Sequence, residues 1–335
     1  MISRRFTRTM VAAAAVSAGA IAAAATVALA VPAGASTTSA AIHGYTFKTI
    51  INNHDVTFNQ LLGINEAGLI AGYFGSGASG HPNKGYTVKP PYHQSDFRNE
   101  NFPHSKQTQV TGLNDNGDTV GFWANKKGAN FGFYTAKGKF HEVNFPGVPN
   151  SSPQMDQLLG INDHGVAVGF YANGKGNTRG YEYNIYSHRF SRILQPGVTS
   201  HNLNQNTPSL TAAAINNHGT VAGFYTTKGG VTDGFVLRGH SFIKLVAPYA
   251  GVTMTQAFGI NDSGLVVGAY TTGSGSSTQT WGFTWQSGHF NKVNDPNGVG
   301  STFINGVNDQ GELVGFYMAA NDNNDTLGFL AKPQN

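Results

Sequence analysis

Cysteine is absent from the 335-residue chain. That excludes a disulfide framework, a thiolate zinc site and a cysteine nucleophile, so a stable fold has to come from packing over a large core. Charge is scarce too, with Asp, Glu, Lys and Arg supplying 11% of the residues. The formal charge of +4 rests largely on Arg4, Arg5 and Arg8; without them 18 basic residues face 17 acidic ones. The isoelectric point near 9.1 is therefore no footprint of nucleic-acid binding, and no Lys/Arg cluster follows those first residues.

Recognisable catalytic and metal signatures are missing as well. The 12 His lack the i, i+4 pairing of a zinc helix, and no G-x-S-x-G elbow is present. NDNNDTLG, with Asp322 and Asp325, has neither the central Gly nor the terminal Glu of a helix-flanked calcium loop. No metal and no cofactor is expected, and no catalytic residue can be named.

What the chain does contain is turn chemistry: 44 Gly and 13 Pro beside many Asn, Thr and Ser, a composition of short strands rather than helices. The first 35 residues read as an export signal. Basic residues precede an Ala/Val-rich run from Met10 to Val31, followed by Ala33-Gly34-Ala35, a small-residue cleavage pattern. An uncleaved anchor is the competing reading, since the apolar run approaches the roughly 20 residues that span a bilayer. The expected organisation is a signal peptide at 1–35, a short linker at 36–43 and one domain at 44–335. The product would be a secreted monomer, extracellular or associated with the cell envelope, with no membrane or nucleic-acid partner after cleavage.

One phrase recurs six times, as in GINEAGLIAGYF from Gly63 and GINDHGVAVGFY from Gly160. Its Asn falls at 65, 114, 162, 216, 261 and 308, a period of 45 to 54 residues that points to propellers or arrays. Gly stands three and seven places after every Asn, and a Gly-aromatic pair (Gly85-Tyr86 to Gly328-Phe329) follows. Asn-acid-x-Gly between two apolar runs is a tight hairpin, with an Asx-turn closed by Asn and a left-handed residue supplied by Gly. The Gly-aromatic pair opens a third strand. A fourth starts with Phe and tends to end in Pro, as in Phe97/Pro103 and Phe290/Pro296.

The sixth unit ends after its third strand, while Phe47–Asn53 upstream of the first hairpin has the fourth-strand pattern. The expected fold is therefore all-β: a six-bladed β-propeller of four-stranded blades, its last blade completed by the N-terminal strand, which removes exposed edges.

These motifs resemble the HAF-repeat family of probable extracellular bacterial repeat proteins, whose units carry (A/G)-I-N-x-x-G-x-V-V-G. The resemblance covers about Gly44 to Lys332, with Gly-Phe or Gly-Tyr in place of the family's His-Ala-Phe. It implies export and a propeller-like repeat, and offers no catalytic residues to carry over.

Candidate chemistry is of three kinds. The turn acids Glu66, Asp115, Asp163, Asp262 and Asp309 repeat as cation ligands would, yet turn propensity accounts for them, and Asn217 in the remaining copy shows that charge is dispensable. Asp96, Glu100, Glu142, Asp156, Glu182, Asp233 and Asp295 are loose candidates for a glycosidase pair drawn from distant blades. Nine places after each Asn stands an aromatic residue: Phe74, Trp123, Tyr171, Tyr225, Tyr270 and Tyr317. These are the candidate ligand-binding residues, because aromatic faces beside Asn and Thr hold sugars; blade-to-blade packing is the competing explanation. Trp281 and Trp285 add aromatic surface on the fifth unit. Two functions stay open: a non-catalytic binding or cell-surface module recognising an extracellular glycan or cell-wall component, and a secreted carbohydrate-active hydrolase or lyase. An enzyme should break the six-fold pattern with odd charges converging at one place.

Overall fold

The structure, a computed structural model, describes residues 44–147, 154–172, 176–203, 207–320 and 325–334. The expected signal and linker and the NDNNDTLG residue Asp322 lie outside these. Blade one is built from strands Asn59–Ile64, Ile70–Phe74, Lys84–Val88 and Phe97–Asn99, hydrogen-bonded in sequence order. Blades two to five repeat this order over 107–143, 156–192, 210–245 and 252–292. In blade six the three C-terminal strands Thr302–Val307, Leu313–Met318 and Thr326–Pro333 are joined by Tyr45–Ile50. That closing strand runs antiparallel to the last one, with Phe47 opposite Ala331 and Ile50 opposite Gly328. The protein is a six-bladed propeller closed by its N-terminal strand.

The repeated aromatics explain why the fourth strand docks. The Phe of each fourth strand packs on the aromatic of the Gly-aromatic pair in its own blade. Tyr86–Phe97, Phe133–Phe140, Tyr181–Phe190, Phe235–Phe242, Phe283–Phe290 and the closing pair Phe47–Phe329 all have ring centroids 4.9 to 5.7 Å apart. Such pairs add to area burial. Phe47 thus does for blade six what the local Phe does elsewhere.

Each first hairpin carries a bulge at the same place, between the fourth and second residues before the Asn, as at Leu61/Gly63 and Leu158/Gly160. The bulge brings the first strand's backbone over the Gly seven places after the Asn. A Cβ on Gly72, Gly121, Gly169, Gly223, Gly268 or Gly315 would collide with the carbonyl oxygen of residue 60, 109, 157, 211, 256 or 303 respectively. The invariance of that Gly among the six copies is steric. The Gly three places after the Asn lies at φ between 70° and 79° in all six turns, the left-handed region it was expected to supply.

Neighbouring blades meet through buried aliphatic and aromatic clusters, for example Val168, Ile193, Leu210, Ile215, Val221 and Phe235 between blades three and four. At the end where successive blades are connected, parallel bridges stitch one blade to the next: Asn130–Met155, Thr232–Met254, Thr280–Ser301 and, across the seam, Phe58–Thr326.

Candidate functional site: the channel, its two ends and the blade interfaces

The Asn turns gather around the propeller axis at one end and form two closed hydrogen-bond rings. In the first, each Asn Nδ2 donates to the backbone carbonyl of the Asn in the next blade: 65 to 114, 114 to 162, 162 to 216, 216 to 261, 261 to 308 and 308 back to 65, at 2.9 to 3.2 Å. The Asn Oδ1 meanwhile closes its own turn, as Asn162 does by accepting from the backbone N–H of His164 and Val166. One side chain both shapes the hairpin and staples it to its neighbour.

In the second ring the backbone N–H following each Asn donates to the next blade's turn acid. Glu66 to Asp115, Asp115 to Asp163, Asp163 to Asn217, Asn217 to Asp262, Asp262 to Asp309 and Asp309 to Glu66 span 2.6 to 2.9 Å. The turn acids are acceptors in a fastening, and Asn217 serves equally through its amide oxygen. Its Nδ2 also donates to Asp163 at 2.7 Å and to Asp262 at 2.9 Å, relieving two neighbouring carboxylates. The Glu66 and Asp115 carboxyls are held above their ordinary range by burial and by the surrounding acids. Among the described residues, no group of three or more His, Asp and Glu is placed to hold a metal ion.

Below this mouth the first strands crowd together. A Cβ on Gly63, Gly112, Gly160, Gly259 or Gly306 would lie within 3.2 Å of the neighbouring blade's backbone. The axial cavities on either side of that constriction hold about 80 Å³ each. Ligand sites typically need about 300 Å³ or more, so the axis admits a few waters and no sugar ring.

The six candidate aromatics lie at the opposite end, where blades connect. Tyr171, Tyr270 and Tyr317 are buried, while Phe74, Trp123 and Tyr225 are partly exposed. They pack against the connection arriving from the preceding blade: Phe102 lies flat on Trp123 at 4.7 Å, Phe145 on Tyr171 at 4.5 Å, Tyr249 on Tyr270 at 4.8 Å and His54 on Phe74 at 5.5 Å. Phe131 stacks on Trp123 as well, also at 4.7 Å. Tyr225 instead meets Phe242 edge-on, and Tyr317 bonds Thr49 of the closing strand. Blade packing accounts for the repetition of this position. Trp281 is covered by Lys292, whose Nζ sits 3.4 Å from the ring centroid, and Trp285 packs in the cluster between blades four and five.

A polar position six residues before the Asn holds those connections in place, and sequence reasoning missed it. Asn59, Thr108, Asp156, Thr255 and Thr302 each accept the backbone N–H of the arriving connection, at 2.7 to 3.2 Å. The recurrence of small polar residues there was the available signal. Leu210 in blade four is the exception.

The odd carboxylates are dispersed. Asp156 is fully buried between blades two and three, where Tyr181 donates to it at 2.5 Å and Phe145 N–H at 2.7 Å; burial pushes its pKa up to about 7. Glu100 lies between blades one and two, beside Thr119 and Thr135, raised by burial. Asp295 is buried in the connection from blade five to six, facing Tyr317, and is likewise raised. Asp233 is ion-paired with Lys244 at 2.7 Å in blade four. Asp96 accepts from the backbone of His93, and exposed Glu142 from Asn144. Glu182 borders a groove of about 390 Å³ between blades three and four. No ion pair or hydrogen bond among the described residues links any two of the seven.

No protein-family profile and no curated protein sequence matches the chain. Among solved structures it is similar to a six-bladed propeller lectin from Aleuria aurantia, at 11% identity over 78% of this chain and 88% of that one, with a TM-score of 0.45. It is also similar to an ulvan lyase described as a new family of polysaccharide lyase, at 15% identity over 82% of this chain and 78% of that one, with a TM-score of 0.45. A prolyl endopeptidase aligns at 10% identity over 87% of this chain but 43% of its own, with a TM-score of 0.47.

Proposed function

We propose that the protein is a secreted, non-catalytic binding module of the HAF-repeat type that recognises carbohydrate at the extracellular or cell-envelope surface. The observation that carries the non-catalytic reading is the dispersal of the odd carboxylates. Acid-base hydrolysis of a glycosidic bond needs two carboxyls flanking one bond. Here Glu100, Asp156, Glu182 and Asp295 occupy four different blade interfaces, and Asp233 is neutralised by Lys244.

A neutral, polyhydroxylated partner suits the rest of the chain, which beyond residue 35 is near charge balance and rich in amides. Two amide oxygens near the connection end, on buried Gln109 and Gln157, find no donor among the described residues, while their Nε2 groups bond Asn83 and Asn130. At the same end of the propeller Phe74, Trp123 and Tyr225 are partly exposed.

Purified protein lacking residues 1–35 should bind members of a glycan panel and release no product from polysaccharides. Failure to bind any glycan removes the carbohydrate reading. Reducing ends or unsaturated products appearing from a polysaccharide would move the assignment to a hydrolase or lyase.

A further inference from the structure

The six interfaces are built from equivalent positions, so each is a control for the others. Two residues past the anchor Gly of the third strand stand Thr87, Tyr134, Glu182, Val236, Thr284 and Leu330. Tyr134 fills its interface, reaching Tyr183 of the next blade at 6.2 Å. Val236 joins a packed cluster with Trp285 and Phe290, and Leu330 one with Val88 and Phe97. Blade three has an acid at this position, and there the interface opens into the groove of about 390 Å³, walled on the far side by Leu237 and Phe242 of blade four. This volume lies within the range of small-ligand sites, about 300–1,000 Å³.

Glu182 is only partly exposed, and burial raises its pKa. Among the described residues it forms no salt bridge. Arg192, on the neighbouring strand and also bordering the groove, places its guanidinium 5.1 Å from the centre of the Phe145 ring. The groove therefore presents an unpaired, partly desolvated carboxylate opposite an aliphatic and aromatic wall. A neutral sugar hydroxyl would bond the carboxylate, but a cation gains more, since charge-assisted bonds between two ionised groups are the stronger class. The apolar C–H face of a sugar ring matches Leu237 and Phe242.

We infer that the groove between blades three and four binds a sugar unit carrying a protonated amine, a deacetylated hexosamine, with its ammonium on Glu182 and its ring against Leu237 and Phe242. The inference rests on the carbohydrate reading above.

The test is calorimetric titration of the protein lacking residues 1–35 with glucosamine oligomers, N-acetylglucosamine oligomers and a neutral glucan. Glucosamine oligomers should bind, acetylation of the amine should weaken binding by about tenfold or more, and Glu182→Gln should do the same while retaining the melting temperature. Phe242→Leu should weaken binding while leaving the preference for the amine. Equal affinity for the amine and acetylated oligomers, or an unchanged affinity in Glu182→Gln, overturns the inference. If neutral glycans bind and glucosamine oligomers do not, this site assignment falls and the carbohydrate reading stands; if no glycan binds, both fall.

Discussion

Asn162 performs two tasks with one side chain, and two substitutions separate them. Its Oδ1 accepts from His164 N–H at 3.1 Å and Val166 N–H at 3.0 Å, and its Nδ2 donates to the Asn216 carbonyl at 3.0 Å, in a site that is 5% exposed. Asn162→Ala removes all three bonds. At about 1 kcal/mol net per bond the loss is about 3 kcal/mol. At about 2.1 cal/mol/K of unfolding entropy per residue, that corresponds to a fall in melting temperature of about 5 °C for a domain of this size.

Asn162→Asp keeps the turn acceptor but replaces the staple's donor with a second oxygen facing the Asn216 carbonyl. At neutral pH it should be as damaging as Ala or worse. Its carboxyl, desolvated and opposed by a carbonyl, will have a folded-state pKa above the unfolded value of about 3.9. The sign follows: the penalty is fully present above the folded pKa and shrinks as pH falls towards the unfolded one, because a protonated carboxyl donates to Asn216 again. Urea unfolding of wild type and both variants at pH 7 and pH 4.5 checks this. The Ala deficit should be insensitive to pH while the Asp deficit narrows in acid. Equal pH responses, or an Ala variant as stable as wild type, would refute the account of the ring as an inter-blade staple.

Other outcomes follow from the same geometry. Asn217→Asp would put a sixth carboxylate in the ring and delete the two bonds to Asp163 and Asp262. It should cost about 1–3 kcal/mol at low salt, and part of that should return in high salt, as melting curves at two ionic strengths would show. Asp156, pushed up to about 7, holds more protons folded than unfolded between about pH 4 and 7. Stability of the wild type should therefore decline through that window as pH rises, and Asp156→Asn should flatten the decline in a pH series of unfolding midpoints. Phe47→Ala loses the contact with Phe329 that docks the closing strand. A loss of about 3 kcal/mol is expected, with faster amide exchange in residues 328–331, where the closing strand pairs; unchanged exchange there would contradict its role.

The architecture was legible because every blade repeats it: six Asn-x-x-Gly turns fixed the hairpins, and a fourth-strand pattern lacking at the C-terminus but present at Phe47 fixed the closure. The Gly seven places after each Asn was equally visible, but its reason was not, since the carbonyl it must clear belongs to a strand displaced by a bulge. The rings were hidden for a related cause. Turn propensity alone explains Asn and Asp at these positions, so nothing in one copy reveals that its side chains also bond the next. At the candidate site, the aromatic ring was readable as a periodic feature, whereas its stacking on the arriving connections depends on Phe102, Phe145 and Tyr249, which lie in segments of unequal length. The groove at Glu182 was not legible because an acid at one of six equivalent positions acquires meaning only when Tyr134, Val236 and Leu330 are seen filling their interfaces.

The propeller has two distinct closures, and the chain treats them differently. The strand Tyr45–Ile50 completes a sheet, whereas the contact between blades six and one completes the circle. At that seam both rings return to their start, Asn308 to Asn65 at 3.2 Å and Asp309 to Glu66 at 2.6 Å. Further bonds accumulate there: Asn305 Nδ2 to the Leu61 carbonyl, Gln310 Nε2 to the Glu66 carbonyl and Thr326 N–H to the Thr57 carbonyl. The side-chain donors Asn305 and Gln310 belong to blade six; at their positions in blade two Thr111 and Asn116 also donate to the next blade, while Leu159, Ala213 and Phe258 at the Asn305 position of blades three to five have no side-chain donor. Five of the six interfaces join blades that are consecutive in the chain, so their loop-closure cost is small, but the seam joins segments more than 240 residues apart. The junction with the largest entropic cost is thus fastened as fully as a consecutive pair, blades two and three, where Thr111 Oγ1 donates to the Leu158 carbonyl, Asn116 Nδ2 to the Asp163 carbonyl and Asn130 N–H to the Gln154 carbonyl. A chain whose repeats merely stacked in an open array could not make the bonds from Asn308 to Asn65 and from Asp309 to Glu66.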